Sequence, residues 1–222
     1  MVCDPAESGR ETARKLAPTV PLAAAFEAAL THSEISAVAI AAPAVQHGAL
    51  VRAALSSGKD VFVEKPLCLD AREGAELVDL ARSSGRILMV GHLLQYHPHV
   101  QALQALLSRG DLGKLHYITS NRLNLGKIRQ EENALWSFAP HDISVIISLA
   151  NHQLPEQITC CGGGYLSHDV ADTTLTAMRF RGGVRAHIFV SWLNPFKEQK
   201  LTVVGSAGLA DSSVVCRSSG GG

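Results

Sequence analysis

Residues 60–66 read Asp60-Val61-Phe62-Val63-Glu64-Lys65-Pro66, an apolar run that ends on a Glu-Lys pair and a proline. A short continuous apolar run fits a strand covered on both faces. In an open α/β sheet, ligands bind beyond the carboxyl ends of the strands, and Lys65 stands at such an end. A lysine there can donate a hydrogen bond to a substrate hydroxyl. The same pair also reads as a solvated strand end, and chemistry alone leaves both readings open.

Outward from this run the chain alternates strand and helix. On the amino side lie Ala37-Val38-Ala39-Ile40-Ala41-Ala42, ended by Pro43, and an amphipathic helix from Gln46 to Ser57 closed by Gly58. On the carboxyl side, Asp70 and Glu73 have capping-box spacing before Leu77, Val78 and Leu80, and that helix ends near Gly85. Arg86 to Gly91 is a further β-rich run. Earlier, Ser8 to Ala17 is helix-like and stopped by Pro18, and the Ala- and Leu-rich stretch from Leu22 to Leu30 predicts a second helix. Strands separated by helices of this length predict parallel pairing with right-handed crossovers. The first fold class is therefore α/β and Rossmann-like, a doubly wound parallel sheet.

The texture changes after about residue 113. Lys114 to Asn124 alternates as a longer strand, Pro140 to Ala150 is helical, and strands follow over Gln157–Leu166, Asp172–Phe180, Val184–Trp192 and Lys200–Gly205. Turn signals such as Arg181-Gly182-Gly183 join them. Gly162-Gly163-Gly164 does not open a helix and is expected to be a bulge or loop. This half predicts an α+β domain with a mostly antiparallel open sheet. The expected division is a partial dinucleotide-binding domain over 1–97, a substrate-binding and oligomerisation domain over 98–217, and a disordered tail over 218–222.

A dinucleotide fold opens with strand, G-x-G-x-x-G and helix, and no such motif occurs in these 222 residues. The chain begins instead with Val2-Cys3-Asp4, which reads as the end of the second strand. The expectation is that the first strand and glycine-rich turn, roughly 30 residues of a βαβ unit, are missing. Asp4 then stands where a carboxylate accepts hydrogen bonds from the adenosine ribose, favouring NAD. A helix-capping Asp ahead of Pro5 is the alternative.

Composition narrows the class. Lys+Arg and Asp+Glu number 20 each, a balance that favours neither nucleic acid nor an anionic membrane as partner. No 18-residue apolar run occurs. The five cysteines form no C-x-x-C pair, so reduced thiols and a cytoplasmic location are expected. His92, His97 and His99 lack the context of a zinc site, and no metal is expected.

Pro43 and His47, Glu64-Lys65-Pro66, Gly91-His92 and Pro98 occur in this order in the Gfo/Idh/MocA oxidoreductases, which the chain resembles. The resemblance implies an NAD-dependent carbohydrate dehydrogenase. It places Asp4, Ala42, Pro43, His47, Glu64, Lys65 and Pro66 around the cofactor, with Lys65 on the reacting hydroxyl and Pro66 after a cis peptide. Ala42 stands where the family usually has Thr. His141, read at the head of a helix in Trp136-Ser137-Phe138-Ala139-Pro140-His141-Asp142, corresponds to the family's catalytic histidine, with Ser137 where many relatives hold Asp.

The runs Gly91–Pro98, Ser120–Arg129, Glu131–Trp136 and Asn194–Lys200 resemble a subgroup similar to UDP-N-acetylglucosamine(-uronate) 3-dehydrogenases. That implies hydride transfer to NAD from a ring carbon, at C3, of a UDP-linked N-acetylated sugar, with His141 accepting the hydroxyl proton and Lys65 stabilising the oxygen. Tyr96 or His97, with Arg122, Asn124, Lys127 and Asp142, are the expected substrate residues. Arg122, Lys127 and Arg129 suit a diphosphate or carboxylate, Asn121 and Asn124 sugar hydroxyls, and Ser120, Arg122 and Asn124 share one strand face. The alternatives are a free polyol or monosaccharide such as an inositol as substrate, a non-catalytic ligand-binding relative, and an inactive fragment. The resemblance also implies a homodimer or homotetramer formed through the open face of the antiparallel sheet.

Overall fold

The structure is a computed structural model and describes residues 1–125, 132–166, 169–211 and the strand at 215–217. It divides into two compact units, Met1–Gly91 and His92–Gly222.

The first unit alternates β1 (Val2–Cys3), α1 (Glu7–Leu16), β2 (Leu22–Ala23), α2 (Glu27–Thr31), β3 (Ala37–Ile40), α3 (Ala44–Ser56), β4 (Asp60–Val63), α4 (Ala71–Ser84) and β5 (Leu88–Val90). β1 and β2 pair parallel, and β3-β4-β5 form a parallel sheet with β4 in the centre. Ile40, Val61 and Val63 of the sheet pack with Val51, Ala54, Leu55 and Leu77 of the helices in one buried cluster. α4 begins where the sequence indicates, because the Asp70 carboxylate accepts from the Arg72 and Glu73 amides at 2.9 Å each. It ends on Gly85, whose φ of 64° is the left-handed conformation that glycine tolerates.

One element departs from expectation. Leu22–Leu30 is not one helix: Leu22 and Ala23 pair with Val2 and Cys3, and only Glu27–Thr31 is helical. The Val2 amide donates to Pro21 O at 2.8 Å and the Asp4 amide to Ala23 O at 3.0 Å. Pairing with a distant strand outweighs the helix propensity of the Ala-rich stretch.

The second unit opens with a 3₁₀ turn (Leu93–Tyr96), followed by α5 (Pro98–Ser108), β6 (Leu115–Leu123), α6 (Ala134–Leu149), β7 (Gln157–Gly163), β8 (Thr173–Arg179), β9 (Arg185–Ser191), β10 (Glu198–Gly205), β11 (Gly208–Asp211) and β12 (Val215–Arg217). The seven strands form one sheet in the order β12-β11-β10-β6-β9-β8-β7. Every neighbouring pair is antiparallel except β6 and β9, which run parallel. Ile118, Met178, Ala186, Ile188, Val190 and Val203 face Val145, Ile146 and Leu149 of α6 in the unit's core.

Two expectations are corrected here. The helix read as beginning at Pro140 begins at Ala134, where Asn133 Oδ1 accepts from the Trp136 amide at 3.0 Å. Pro140 therefore lies inside α6, and His141 sits in mid-helix rather than at its head. Proline at a helix start is the commoner placement, and the cap upstream overrides it. Gly162 and Gly163 form neither bulge nor loop but pair regularly with Thr174 and Thr173. A Cβ on Gly162 would come within 2.5 Å of Thr173 O, so the close approach of β8 accounts for the glycine.

Candidate functional site

In the first unit the parallel strands set the geometry. Beyond the carboxyl ends of β3 and β4 come Ala42-Pro43 and Glu64-Lys65-Pro66, stitched by the Glu64 amide donating to Ile40 O at 2.9 Å. The Lys65–Pro66 peptide is cis. His47, on α3 and only 1% exposed, lies with Nε2 2.7 Å from Ala42 O and Nδ1 2.6 Å from Pro66 O. One imidazole thus ties the turn after β3 to the turn after β4. Pro43 precedes α3 and is exposed. The Glu64 carboxylate lies over Gly91, where a Cβ would stand 3.1 Å from Oε2. Lys65 is half-buried at the end of β4.

Asp4 follows β1 directly. Its Oδ1 accepts from the Ala6 amide at 2.8 Å, and the Arg10 guanidinium donates to its carbonyl at 2.6 Å. Its Oδ2 lies against Gly9, where any Cβ would collide with the carboxylate. Asp4 thus closes the strand and turns the chain toward α1, but the N-cap of that helix is Ala6, so Asp4 is not its capping residue.

These residues fit a dinucleotide. A carboxylate at a parallel strand's end suits a ribose diol, and turns held at the ends of β3 and β4 offer backbone and side-chain donors where such folds bind ligand. The carboxylates of Asp4 and Glu64 can only accept, so donors to a dinucleotide come from backbone amides and from Lys65.

In the second unit, His141 meets the edge of the His92 ring, with centroids 6.3 Å apart and planes at 87°. Gln95 of the 3₁₀ turn donates to Ser144 Oγ at 2.9 Å, and Gln104 of α5 donates to Ser148 Oγ at 2.7 Å. The 3₁₀ turn and α5 are thereby fixed to α6. Tyr96 (61% exposed) ends that turn, and His97 caps α5 with its ring 4.9 Å from that of His99. Asp142 is buried beside Ser120 and Arg122 of β6, both of which hydrogen-bond its carboxylate. Asn124 lies just beyond β6, its amide donating to Ser191 O at 3.0 Å. Asn121 turns to the opposite face and donates to Glu198 Oε1 at 2.6 Å. Lys127 and Arg129 lie outside the described residues.

Sequence reasoning missed two of these neighbours. In sequence His92 falls in a local cluster with His97 and His99, yet its ring stands against His141. Its place directly after Gly91, beyond the end of β5, was the available signal. The Arg122–Asp142 pair joins residues far apart in the chain, and nothing local marks it. Among the described residues, no group of three His, Cys, Asp or Glu is placed to hold a metal, and no helix is long and apolar enough to cross a membrane.

Comparison with known proteins agrees with this architecture. Residues 1–92 match the family model described as the oxidoreductase family with an NAD-binding Rossmann fold, and residues 100–211 match the GFO/IDH/MocA C-terminal domain. The chain is 30% identical over 175 residues to the trans-1,2-dihydrobenzene-1,2-diol dehydrogenase of Sus scrofa, covering 74% of this chain and 51% of that one. It is 26% identical over 160 residues to the UDP-N-acetylglucosamine 3-dehydrogenase of Acidithiobacillus ferrooxidans, covering 72% and 49%. The chain thus spans about half the length of the curated relatives it matches. In fold it is similar to apo scyllo-inositol dehydrogenase from Lactobacillus casei, with a TM-score of 0.85 at 17% identity, covering 94% of this chain and 65% of that one. A parallel unit with the Glu-Lys-Pro turn, an antiparallel-rich unit carrying His141 on its helix, and both family models in register lead to one assignment: the chain belongs to the Gfo/Idh/MocA oxidoreductase family, its first unit being that family's NAD-binding Rossmann fold.

Proposed function

We propose that the protein is an NAD-dependent dehydrogenase that oxidises a ring hydroxyl, at C3, of a UDP-linked N-acetylated sugar or its uronate. The observation that carries the reading is the Glu64-Lys65-Pro66 turn, pinned by His47 at the carboxyl end of a buried parallel strand. NAD, held by the first unit's residues, would supply the hydride-accepting chemistry when bound. Lys65 donates a hydrogen bond to the hydroxyl oxygen and stabilises the negative charge that develops there. His141 takes the hydroxyl proton. Asp4 accepts from the adenosine ribose, and Ala42, Pro43, Glu64 and Pro66 line the cofactor. Tyr96, His97 and Asn124 contact the sugar. The similarity to a UDP-N-acetylglucosamine 3-dehydrogenase supports the nucleotide-sugar form.

A second reading takes a free polyol, such as an inositol, as substrate. It is favoured by the engagement of Arg122 with Asp142, which neutralises one of the cations that suited a diphosphate. Self-association is proposed through the sheet face opposite α6, where Leu175 and Leu209 are each 43% exposed.

Lys65→Ala and His141→Ala test the mechanism. Each is expected to lower turnover by more than about tenfold, a threshold that even the low end of a general acid–base contribution, about a hundredfold, exceeds. Smaller losses in both would defeat it.

A further inference from the structure

Asp142 is the residue next to His141 on α6, and it is 5% exposed. Its Oδ2 accepts from Arg122 Nε at 2.7 Å, and its Oδ1 accepts from Arg122 Nη2 at 3.1 Å and from Ser120 Oγ at 2.7 Å. A bidentate guanidinium–carboxylate pair is directional as well as strong, because the planar fork fits the carboxylate in one orientation. The Arg122 and Asp142 side chains are 14% and 7% exposed, so water competes weakly for either. Ser120 and Arg122 are two residues apart on β6 and share the face turned to α6. β6 itself is held between β10 and β9 over its length. The three hydrogen bonds therefore fasten one point of the helix to a rigid strand.

That point is where the helix needs fastening. Pro140 has no N–H, so the Trp136 carbonyl receives no i→i−4 bond from it, and the ring crowds that carbonyl. The missing bond spans Trp136 to Pro140, the turn that leads directly into His141. A side chain tethered at 142 restores the rotation and height that the missing bond leaves loose. On its other side, His141 is bounded by the edge of the His92 ring.

We propose that Ser120, Arg122 and Asp142 are positioning residues that fix the His141 ring, and that Arg122 is therefore not a ligand for an anionic group of the substrate. The inference rests on the reading of His141 as the proton acceptor, and it moves Arg122 and Asp142 from the substrate to the framework. It also leaves substrate charge to be recognised elsewhere.

The test uses the full chain labelled with ¹⁵N-histidine, with the His141 and His92 ring signals assigned from His141→Gln and His92→Gln. Arg122→Lys keeps the charge and loses the fork, and Ser120→Ala removes one hydrogen bond and no charge. In folded variants, judged by unchanged circular dichroism, the His141 ring signals shift and their cross-peak to His92 weakens or disappears, while the His47 signals stay in place. General loosening of the protein would move His47 as well. In turnover, kcat falls about a hundredfold for Arg122→Lys, as a displacement of about 1 Å does, with KM unchanged. Should Arg122→Lys not fold, Ser120→Ala carries the same ring test. His141 and His92 signals that coincide with the parent's in a folded variant overturn the proposal. So does a rise in KM confined to nucleotide-sugars over free polyols with kcat kept, because Arg122 would then be a ligand. If His141→Gln leaves turnover intact, the proton-acceptor reading fails by itself, and the ring shifts still decide whether the three residues fix His141.

Discussion

Asp4 holds its carboxylate at the end of β1 with Oδ1 on the Ala6 amide and Oδ2 over Gly9. Asp4→Asn keeps an acceptor for Ala6 but removes the charge offered to a ribose diol. A hydrogen bond to a charged group contributes about 1.5–3 kcal/mol, so NAD affinity is expected to fall at least about tenfold. Gly9→Ala is expected to do the same by displacing the carboxylate, without touching any other proposed ligand. Calorimetric titration with NAD measures both, and unchanged affinity in both would leave Asp4 an anchor for α1 only. His187 offers a second residue-scale test. It stands on the sheet face opposite α6 with the Tyr117 hydroxyl against its Nδ1. Burial pushes the His187 imidazole below its ordinary 6.5 and the Tyr117 phenol above its ordinary 10.0. The folded state therefore stays neutral at His187 while the unfolded chain takes up a proton, so stability is full above pH 6.5 and is lost as pH falls below it. The thermal midpoint of His187→Gln should depend less steeply on pH in that range, and a slope equal to the parent's would contradict this. The strand-end placement of Asp4, Lys65 and Pro66 was legible because each sits in a local motif. Alternation placed Ser120 and Arg122 on one face, but no sequence period says that α6 lies on that face with Asp142 pointing down.

At the scale of elements, the sequence was readable wherever the deciding interaction is local. α4 runs from the Asp70 cap to Gly85, and β3 and β4 are continuous apolar runs bounded by turn residues. It was unreadable where a distant partner decides. β2 exists because Val2 and Cys3 pair with it, and α6 starts early because Asn133 caps it while the Ala134 amide reaches Ala171 O at 2.9 Å. Close approaches between elements are equally silent in a single sequence. At the end of β10, a Cβ on Gly205 would collide with the carbonyl oxygen of Leu112, a backbone atom that cannot step aside as a side chain can. Gly205→Ala is expected to cost about 1–3 kcal/mol, as overpacking generally does. A denaturant midpoint equal to the parent's would mean that the β6–β10 end relaxes freely.

At the scale of the whole molecule, each unit carries its own set of proposed functional residues. The first holds Asp4, His47 and Lys65, and the second holds His92, His141 and the Arg122–Asp142 pair. Self-association through the open sheet face is checked by size exclusion with light scattering, where a clean monomer would count against it. Leu175→Glu on that face should shift an oligomer toward monomer, since like charges brought together at a symmetric contact repel. The measurement that bears most directly on the account is formation of NADH by the protein with a panel of UDP-linked N-acetylated sugars, free sugars and inositols, run beside Lys65→Ala. NAD is expected to be reduced with at least one ring-hydroxyl substrate, and the rate to fall by more than about tenfold in the variant. NAD bound but reduced by no member of the panel, or reduced equally by parent and variant, would contradict it.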